Sequence, residues 1–238
     1  AASDVYKRQF HNSTFYSLNT SYGRPGITRK IVDSYLMADG SRFTDRQGWQ
    51  TMEFKDQCAN RDPRLEQSIR TPGYTRIGST KKEVPSLSTC MTGYQPIKFV
   101  APTNFESDGY NLSYTDLPIF RTAEVYLNYA EAMYNYYGNA DEPGDFGMSA
   151  NEAVNVLRNR PDIMMPEFQG NNGFEERYMR ERMVELAFEG QRFWDVRRWK
   201  KGAEFFKNVD VADFKLDGNG NLILNRVTKT RQWDEKYN

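Results

Sequence analysis

Helical periodicity in the second half of the chain, and its absence from the first half, is the feature that most constrains the fold. From Phe120 onward, apolar residues recur at three- and four-residue spacing until Gly138 ends the pattern. Asp116 is a suitable N-cap, and Pro118 falls in the first turn, where its missing N–H has no cost. The pattern predicts a helix over residues 117–137.

Three further helices are predicted after this one. Ser149 and Glu152 form the capping-box pattern S-x-x-E before an apolar face, and Pro161 ends that helix. Apolar periodicity then predicts a helix over residues 174–188 and a shorter one over residues 193–200. We interpret the four helices as two successive antiparallel hairpins, which makes the chain mostly α.

Turn signals dominate the first half, and a hairpin pattern follows the last helix. Residues 214–216 and 222–224 are apolar stretches on either side of an Asp-Gly-Asn-Gly turn, whose spacing does not fit a calcium loop. The sequence divides into four segments: residues 1–9 without a clear pattern, set aside as non-native or disordered, a loop-rich region at 10–116, two helix hairpins at 117–202, and a hairpin with a tail at 203–238.

Composition excludes several classes of protein. Lys plus Arg and Asp plus Glu both number 32, so no bulk positive charge attracts nucleic acid. The single histidine, His11, excludes HExxH chemistry and any site with several histidine ligands. Cys58 and Cys90 could form one disulfide bridge or remain two unpaired thiols. The sequence predicts no cofactor and no metal site.

Aromatic residues are the strongest functional signal of the loop-rich half. Aromatic side chains make up 14% of the chain, too many for disorder, and many stand beside turn residues rather than in apolar runs. Such rings can cover the core, or they can form flat platforms for a sugar face. The rings in question are Phe15, Tyr16, Tyr22, Trp49, Tyr74, Tyr94, Tyr110 and Tyr114.

Three glutamates at four-residue spacing, Glu181, Glu185 and Glu189, are the one candidate for catalysis. Paired carboxylates cleave glycosidic bonds, but arginines surround these three in the sequence. We therefore favour a structural ion-pair network with pairs three and four residues apart and further pairs between helices. Its predicted members are Arg177, Glu181, Arg182, Glu185, Glu189, Arg192, Asp195, Arg197 and Arg198.

Several separated blocks together resemble one known family. Residues 181–199, ERMVELAFEGQRFWDVRRW, are the most diagnostic block, and blocks at 33–40, 60–65, 117–132 and 153–160 stand in the expected order. Together they resemble the SusD/RagB family. The resemblance implies one mostly α domain, in which tetratricopeptide-like helix pairs form a helical-repeat scaffold at 117–202 and the large irregular, loop-rich region at 10–116 carries the ligand site. It also implies that the tail at 203–238 is truncated. The short β-hairpin near the C-terminus is predicted by the sequence pattern itself.

The resemblance also implies a function. Family members are lipid-anchored proteins on the cell-surface side of the outer membrane in Bacteroidota; they bind glycans or peptides and cover a SusC-like TonB-dependent transporter. They are not enzymes and take no cofactor. We expect this chain to be a fragment, incomplete at both ends, without the N-terminal lipid anchor.

The predicted function is glycan binding in nutrient uptake, with delivery of the ligand to the transporter. The alternatives are a helical-repeat protein-interaction subunit, a peptide-binding member of the family, and the glycosidase considered above. Family ligand residues lie on variable loops, so the candidates are the rings flanking the block at 33–40, with two polar neighbours for sugar hydroxyls. The nominated ligand-binding residues are Phe15, Tyr16, Tyr22 and Trp49, with Asn19 and Arg46.

Overall fold

The structure, a computed structural model, describes residues 5–10, 13–20, 22–103, 108–110, 112, 114–216, 218 and 222–230. His11 lies outside these residues. The chain forms two compact units, Ala1–Phe188 and Glu189–Asn238, and each is considered by itself. The fold is mostly helical, so the predicted fold class is confirmed. The segment boundaries drawn from the sequence remain predictions.

The first hundred residues combine short helices with long irregular connections. One small core holds this region together: Val32, Tyr35 and Leu65 are almost fully buried, and Val184 joins them from a later helix. The Tyr35 hydroxyl donates a hydrogen bond to Ser68 Oγ at 3.1 Å. The helices are α1 (Ser13–Leu18), α2 (Arg29–Ser34), α3 (Phe54–Cys58) and α4 (Arg64–Ser68), with 3₁₀ turns at Phe43–Asp45 and Trp49–Thr51.

A two-stranded antiparallel ribbon corrects the predicted start of the first long helix. Strand β1 (Val5–Phe10) pairs with β2 (Tyr114–Phe120), and Pro118 stands opposite Tyr6. The predicted N-cap and first turn are therefore strand. A ribbon of two strands has open edges, where a proline is tolerated, and its partner lies more than a hundred residues away. Residues 5–9, set aside in the sequence as non-native or disordered, belong to β1.

Helix α5 (Thr122–Tyr137) packs against α6 (Ala150–Arg158) as the first predicted helix hairpin. Gly138 ends α5 with φ 68°. The predicted capping box at the start of α6 has both of its hydrogen bonds: the Ser149 side chain accepts from the Glu152 N–H, and the Glu152 side chain accepts from the Ser149 N–H. Helix α7 (Phe174–Glu185) is fixed to α5 because the Tyr178 hydroxyl donates to the Leu127 carbonyl at 2.7 Å.

The second unit contains α8 (Gln191–Arg198), α9 (Gly202–Phe206), β3 (Asn208–Leu216) and β4 (Leu222–Thr230). Strands β3 and β4 pair antiparallel, which confirms the predicted hairpin and extends it to nine residues a side. Most of its predicted turn lies outside the described residues. The second predicted helix hairpin joins α7 and α8, which belong to different units, so it stays a prediction.

Both cysteines are free: Cys90 is buried and Cys58 is half-buried. Burial raises the pKa of the Cys58 thiol to about 11, although Arg61 lies nearby. The alternative of two unpaired thiols, which the sequence left open, is therefore the one that the structure shows. Among the helices described, none is long and apolar enough to cross a membrane.

Candidate ligand-binding surface

Helix α1 presents two aromatic rings on the side that faces away from its buried residues. Thr14 and Ser17, three positions apart, are buried, whereas Tyr16 is 38% exposed and Phe15 is half-buried. A helix of six residues is too short to be stable alone. Contacts from elsewhere in the chain must therefore fix its position and that of its rings.

Two buried hydrogen bonds supply that support. The Ala101 backbone N–H donates to Thr14 Oγ1 at 2.8 Å, and the Gln95 side-chain amide donates to the Ser17 carbonyl at 2.6 Å. Gln95 and Thr14 are both fully buried. Since an unsatisfied buried polar group is costly, these bonds hold α1 in one orientation. The loop at residues 95–101 thus sets where the two rings lie.

The same loop also positions a third ring, on Tyr110. Arg76 donates to the Ala101 carbonyl at 2.5 Å and forms a two-pronged ion pair with Asp108 at 2.7 and 2.5 Å. The hydrogen bond to Asp108 outweighs the burial of Arg76 and raises its pKa. The Ala101 backbone therefore bonds to both sides: its N–H donates to Thr14 of α1, and its carbonyl accepts from Arg76, which pairs with Asp108.

The rings of Phe15, Tyr16, Tyr22 and Tyr110 form one group, which we call the four-ring cluster. Phe15 lies at its centre, with ring centroids 5.7 Å from Tyr16, 5.6 Å from Tyr22 and 5.6 Å from Tyr110. Tyr22 is 60% and Tyr110 is 56% exposed. Such distances are those of favourable edge-to-face ring pairs, so the rings support one another while the tyrosines stay open to solvent.

This arrangement suits a ligand that has both apolar faces and hydroxyl groups. Exposed rings offer flat apolar surface, and phenolic hydroxyls donate or accept hydrogen bonds at the edge. Gly23, next to Tyr22, has φ 66°, and a Cβ there would lie 3.2 Å from Cδ1 of the Tyr16 ring. A glycine at this position therefore keeps the face of Tyr16 clear.

The structure brings together only part of the nominated set. Phe15, Tyr16 and Tyr22 lie in the cluster, and the Asn19 N–H donates to the Phe15 carbonyl at 2.9 Å. Trp49 instead packs edge-on against Phe43, with centroids 6.2 Å apart.

Trp49 also lies under Arg29, whose guanidinium is 5.2 Å from the indole centroid and donates to the Trp49 carbonyl at 2.6 Å. Arg46 is exposed, and its carbonyl accepts from the Trp49 N–H at 3.3 Å. No hydrogen bond, ion pair or ring contact in the described part of the chain joins Trp49 or Arg46 to the four-ring cluster. These two remain candidates without structural support.

The sequence reasoning did not nominate Tyr110, although it counted this ring among the aromatic residues beside turns. Tyr110 follows Phe15 by 95 positions in the sequence, and the Asp108 that pairs with Arg76 lies two residues before it. The one local signal was the Asp-Gly-Tyr run, in which a ring directly follows turn residues.

The predicted ion-pair network has a buried centre, which we call the arginine–glutamate cluster. Glu181 accepts from Arg64 at 2.6 Å and from Arg158 at 3.1 Å. Glu185 accepts from Arg64 at 3.0 Å, and from Arg121 and Arg160 at 2.9 Å each. Both glutamates are almost fully buried. Their partners lie on other elements rather than three or four residues away on the same helix.

The other predicted members of the network are spread over both units. Arg182 donates to Asn128 Oδ1 at 2.8 Å, and Arg177 is exposed. In the second unit, Asp195 pairs with Arg198 at 2.9 Å, and the Arg192 guanidinium lies 4.7 Å from the Phe205 ring centroid. Arg197 lies 5.3 Å from the ring centroid of Phe193. Glu189 also belongs to the second unit.

The environment of Glu185 favours a structural role over acid–base chemistry. Burial by itself would raise the pKa of this carboxyl, but Arg64, Arg160 and Arg121 outweigh that effect and lower the pKa to about 2. A general acid for glycoside cleavage needs a raised pKa instead. Among the residues the structure describes, no group of three His, Cys, Asp or Glu could hold a metal ion.

Comparisons with known proteins agree with this architecture. The sequence model of the SusD family matches residues 6–237, so the chain belongs to that family. A solved structure, that of a SusD-like protein from Bacteroides fragilis, is 26% identical in sequence and superposes with a TM-score of 0.63. The match covers 89% of this chain and 42% of that one.

The chain thus spans less than half the length of that SusD-like protein. A search of curated proteins finds no significant match. Members of the SusD family are nutrient-binding proteins rather than enzymes, and they are generally surface lipoproteins of the outer membrane.

Proposed function

We propose that this chain is the ligand-binding part of a SusD-type nutrient-uptake protein and that it binds a glycan on the four-ring cluster. The observation that carries the proposal is the convergence of Phe15, Tyr16, Tyr22 and Tyr110 from two separate stretches of chain. Three of these rings are exposed, although tyrosine side chains usually bury much of their area. Their rigid support keeps the cost of ordering low when a ligand binds.

The proposal includes the protein's place in the cell. It would act without catalysis and without a cofactor, and it would pass its ligand to a SusC-like TonB-dependent transporter at the outer membrane. A lipid anchor in the full-length protein would hold it on the cell-surface side. Family membership supports this assignment.

The test is a glycan-array and affinity-gel screen of the chain beside the variants Tyr22→Ala and Tyr110→Ala. Tyr136→Ala is the matched control, because Tyr136 is 80% exposed and lies on α5, outside the cluster. We expect selective retention by one class of polysaccharide, about tenfold weaker in either cluster variant and unchanged in the control. A folded protein that binds no glycan, but binds peptides through the same tyrosines, would establish the peptide-binding alternative instead.

A further inference from the structure

Arg24, two residues after Tyr22, has an unfavourable backbone conformation beside the four-ring cluster. Its φ is 38°, in the left-handed region that residues other than glycine and asparagine rarely adopt. The next residue is Pro25, and a residue before proline normally takes an extended conformation instead. Strain of this kind persists only where the surrounding structure enforces it, and it collects at functional sites.

The surrounding structure holds the backbone of Arg24 from both sides. Its N–H donates to the Tyr22 carbonyl at 2.6 Å, which closes a γ-turn around Gly23. Its carbonyl accepts from the Met91 N–H at 3.3 Å. Gly23 itself packs on the Tyr16 ring, where an added Cβ would lie 3.2 Å from Cδ1. The position of the Arg24 Cα is therefore fixed relative to the rings.

This position brings the Arg24 side chain within reach of the exposed rings. Two trans peptide steps join the Cα atoms of Tyr22 and Arg24, so these atoms lie at most about 7.6 Å apart. Arg24 is exposed, and its long, flexible stem allows the guanidinium to lie at the edge of a ligand stacked on Tyr22. The backbone thus accepts strain at a position from which a cation reaches the proposed ligand site.

The charge of Arg24 has no partner in the part of the chain that the structure describes. No hydrogen bond or ion pair there engages its guanidinium. In contrast, Arg76 and Asp108 neutralise each other through their two-pronged ion pair. Of the three charged groups that the structure places around the cluster in this way, Arg24 is the one left to pair with a ligand.

We propose that Arg24 pairs with an acidic group of the ligand, a carboxylate or a sulfate, so that the glycan on the four-ring cluster is an acidic polysaccharide. This inference rests on the proposed glycan binding and names the class of glycan. A planar guanidinium binds an oxyanion through two parallel N–H bonds, which are stronger than bonds between neutral groups. The sugar face lies on Tyr22, and the acidic substituent at its edge meets Arg24.

Affinity-gel electrophoresis of the full chain with polysaccharides of known charge tests the proposal. The acidic probes are polygalacturonate, alginate and hyaluronan, which carry carboxylates, and dextran sulfate. The neutral probes are dextran and carboxyl-reduced polygalacturonate, which keeps its sugar backbone and loses only the charge. We expect retention by at least one acidic probe and at least about tenfold weaker binding to the neutral probes. Comparing the carboxylated probes with dextran sulfate identifies which acidic group is recognised.

Variants of Arg24 show whether its charge makes this selection. Arg24→Gln should weaken binding of the retained acidic probe by about tenfold. Arg24→Lys, which keeps the charge without the planar fork, should lose less. Arg177→Gln removes an exposed arginine on α7 and should leave the affinity unchanged. Raising NaCl from about 50 to about 500 mM should weaken binding by the unmodified chain more than by Arg24→Gln.

Each other outcome separates this inference from the glycan-binding proposal. Retention of the neutral probes through Tyr22 and Tyr110 would overturn the acidic class and leave glycan binding intact. Acidic probes that bind Arg24→Gln as well as the unmodified chain, or equal losses with Arg177→Gln, would overturn the role of Arg24. A folded chain that binds only acidic peptides, or none of the probes, would overturn both proposals.

Discussion

The guanidinium of Arg64 lies 2.6 Å from the carboxylate of Glu181, although 117 positions separate the two residues in the chain. Both side chains are almost fully buried. Arg64 also forms an ion pair with Asp62 at 2.7 Å, and Arg158 on α6 forms one with Glu181. The ion pair therefore ties the loop-rich region to two helices of the scaffold. Opposite charges held out of water in this way are costly to separate but fix a single arrangement.

Neutralising Glu181 should destabilise the chain strongly. Glu181→Gln leaves Arg64 and Arg158 buried with too little negative charge, and we expect a loss of about 3–5 kcal/mol in the free energy of unfolding. Urea denaturation followed by circular dichroism measures it. Glu176→Gln is the control on the same helix, because Glu176 is 62% exposed and pairs with Arg42 and Arg180 at the surface. Glu176→Gln should lower the free energy of unfolding by about 1 kcal/mol or less. Equal losses in the two variants would show that burial of the ion pair does not determine how much stability is lost.

Stability should fall in acid because of Glu185. Its pKa is about 2 in the folded chain and 4.5 as the ordinary value, so the unfolded chain takes up the proton first. The contribution of this site is complete above about pH 5 and declines as the pH falls from 4.5 towards 2. Over that range the site loses roughly 3 kcal/mol.

Urea midpoints at pH 7, 4 and 3 measure the decline. Glu185→Gln should be less stable at pH 7 and should show a shallower dependence on pH, because the titrating group is gone. Glu175→Gln, an exposed glutamate on the same helix, should follow the unmodified chain. A Glu185→Gln variant with the full acid sensitivity would show that other carboxyl groups control it.

The features that the sequence predicted well depend on neighbours in the chain. The capping box at Ser149 and Glu152 involves residues three apart, and only five residues of sequence separate the paired strands β3 and β4. The predicted helix start at Asp116 failed because a distant strand, β1, pairs with that stretch. Local propensity gives way when long-range pairing satisfies the backbone.

In the candidate site, too, the contacts between residues close in sequence were predicted and those between distant residues were not. Phe15, Tyr16 and Tyr22 lie close in sequence, and the prediction placed them together. Tyr110 joins them from a distant stretch of chain, beside the Arg76–Asp108 ion pair, which no spacing reveals. Trp49 was nominated for its position near a family block and packs against Phe43 instead. Likewise the glutamates of α7 were expected to pair within the helix, but their partners arrive from 23 to 121 positions away.

Adding a methyl group at Gly26 should disturb the approach of two loop segments. The Ile27 N–H donates to the Tyr94 carbonyl at 3.0 Å, and a Cβ on Gly26 would lie 2.5 Å from Thr92 Oγ1 and 2.9 Å from Thr92 N. Since backbone must move, we expect Gly26→Ala to lose about 1–3 kcal/mol. Gly202→Ala, with no atom within 4 Å of the new Cβ, should be neutral or slightly stabilising. Thermal unfolding compares the two; equal midpoints would show that the loops yield freely.

Releasing Asp108 should weaken ligand binding more than it weakens the fold. Asp108 is about half exposed, so Asp108→Asn should change the free energy of unfolding by about 1 kcal/mol or less. The variant removes the charge that Arg76 holds, and with it the support of Tyr110 in the four-ring cluster. We expect affinity for the glycan selected by the array to fall by up to about tenfold.

Isothermal titration of the unmodified chain, Asp108→Asn and Tyr110→Ala separates positioning from direct contact. If Asp108 positions Tyr110, the two variants should weaken binding in the same direction, with the larger loss for Tyr110→Ala. Asp45→Asn, an exposed aspartate on a 3₁₀ turn away from the cluster, should bind as the unmodified chain does. An Asp108→Asn variant with full affinity, beside a Tyr110→Ala variant without it, would mean that Tyr110 contacts the ligand without needing the Arg76–Asp108 pair.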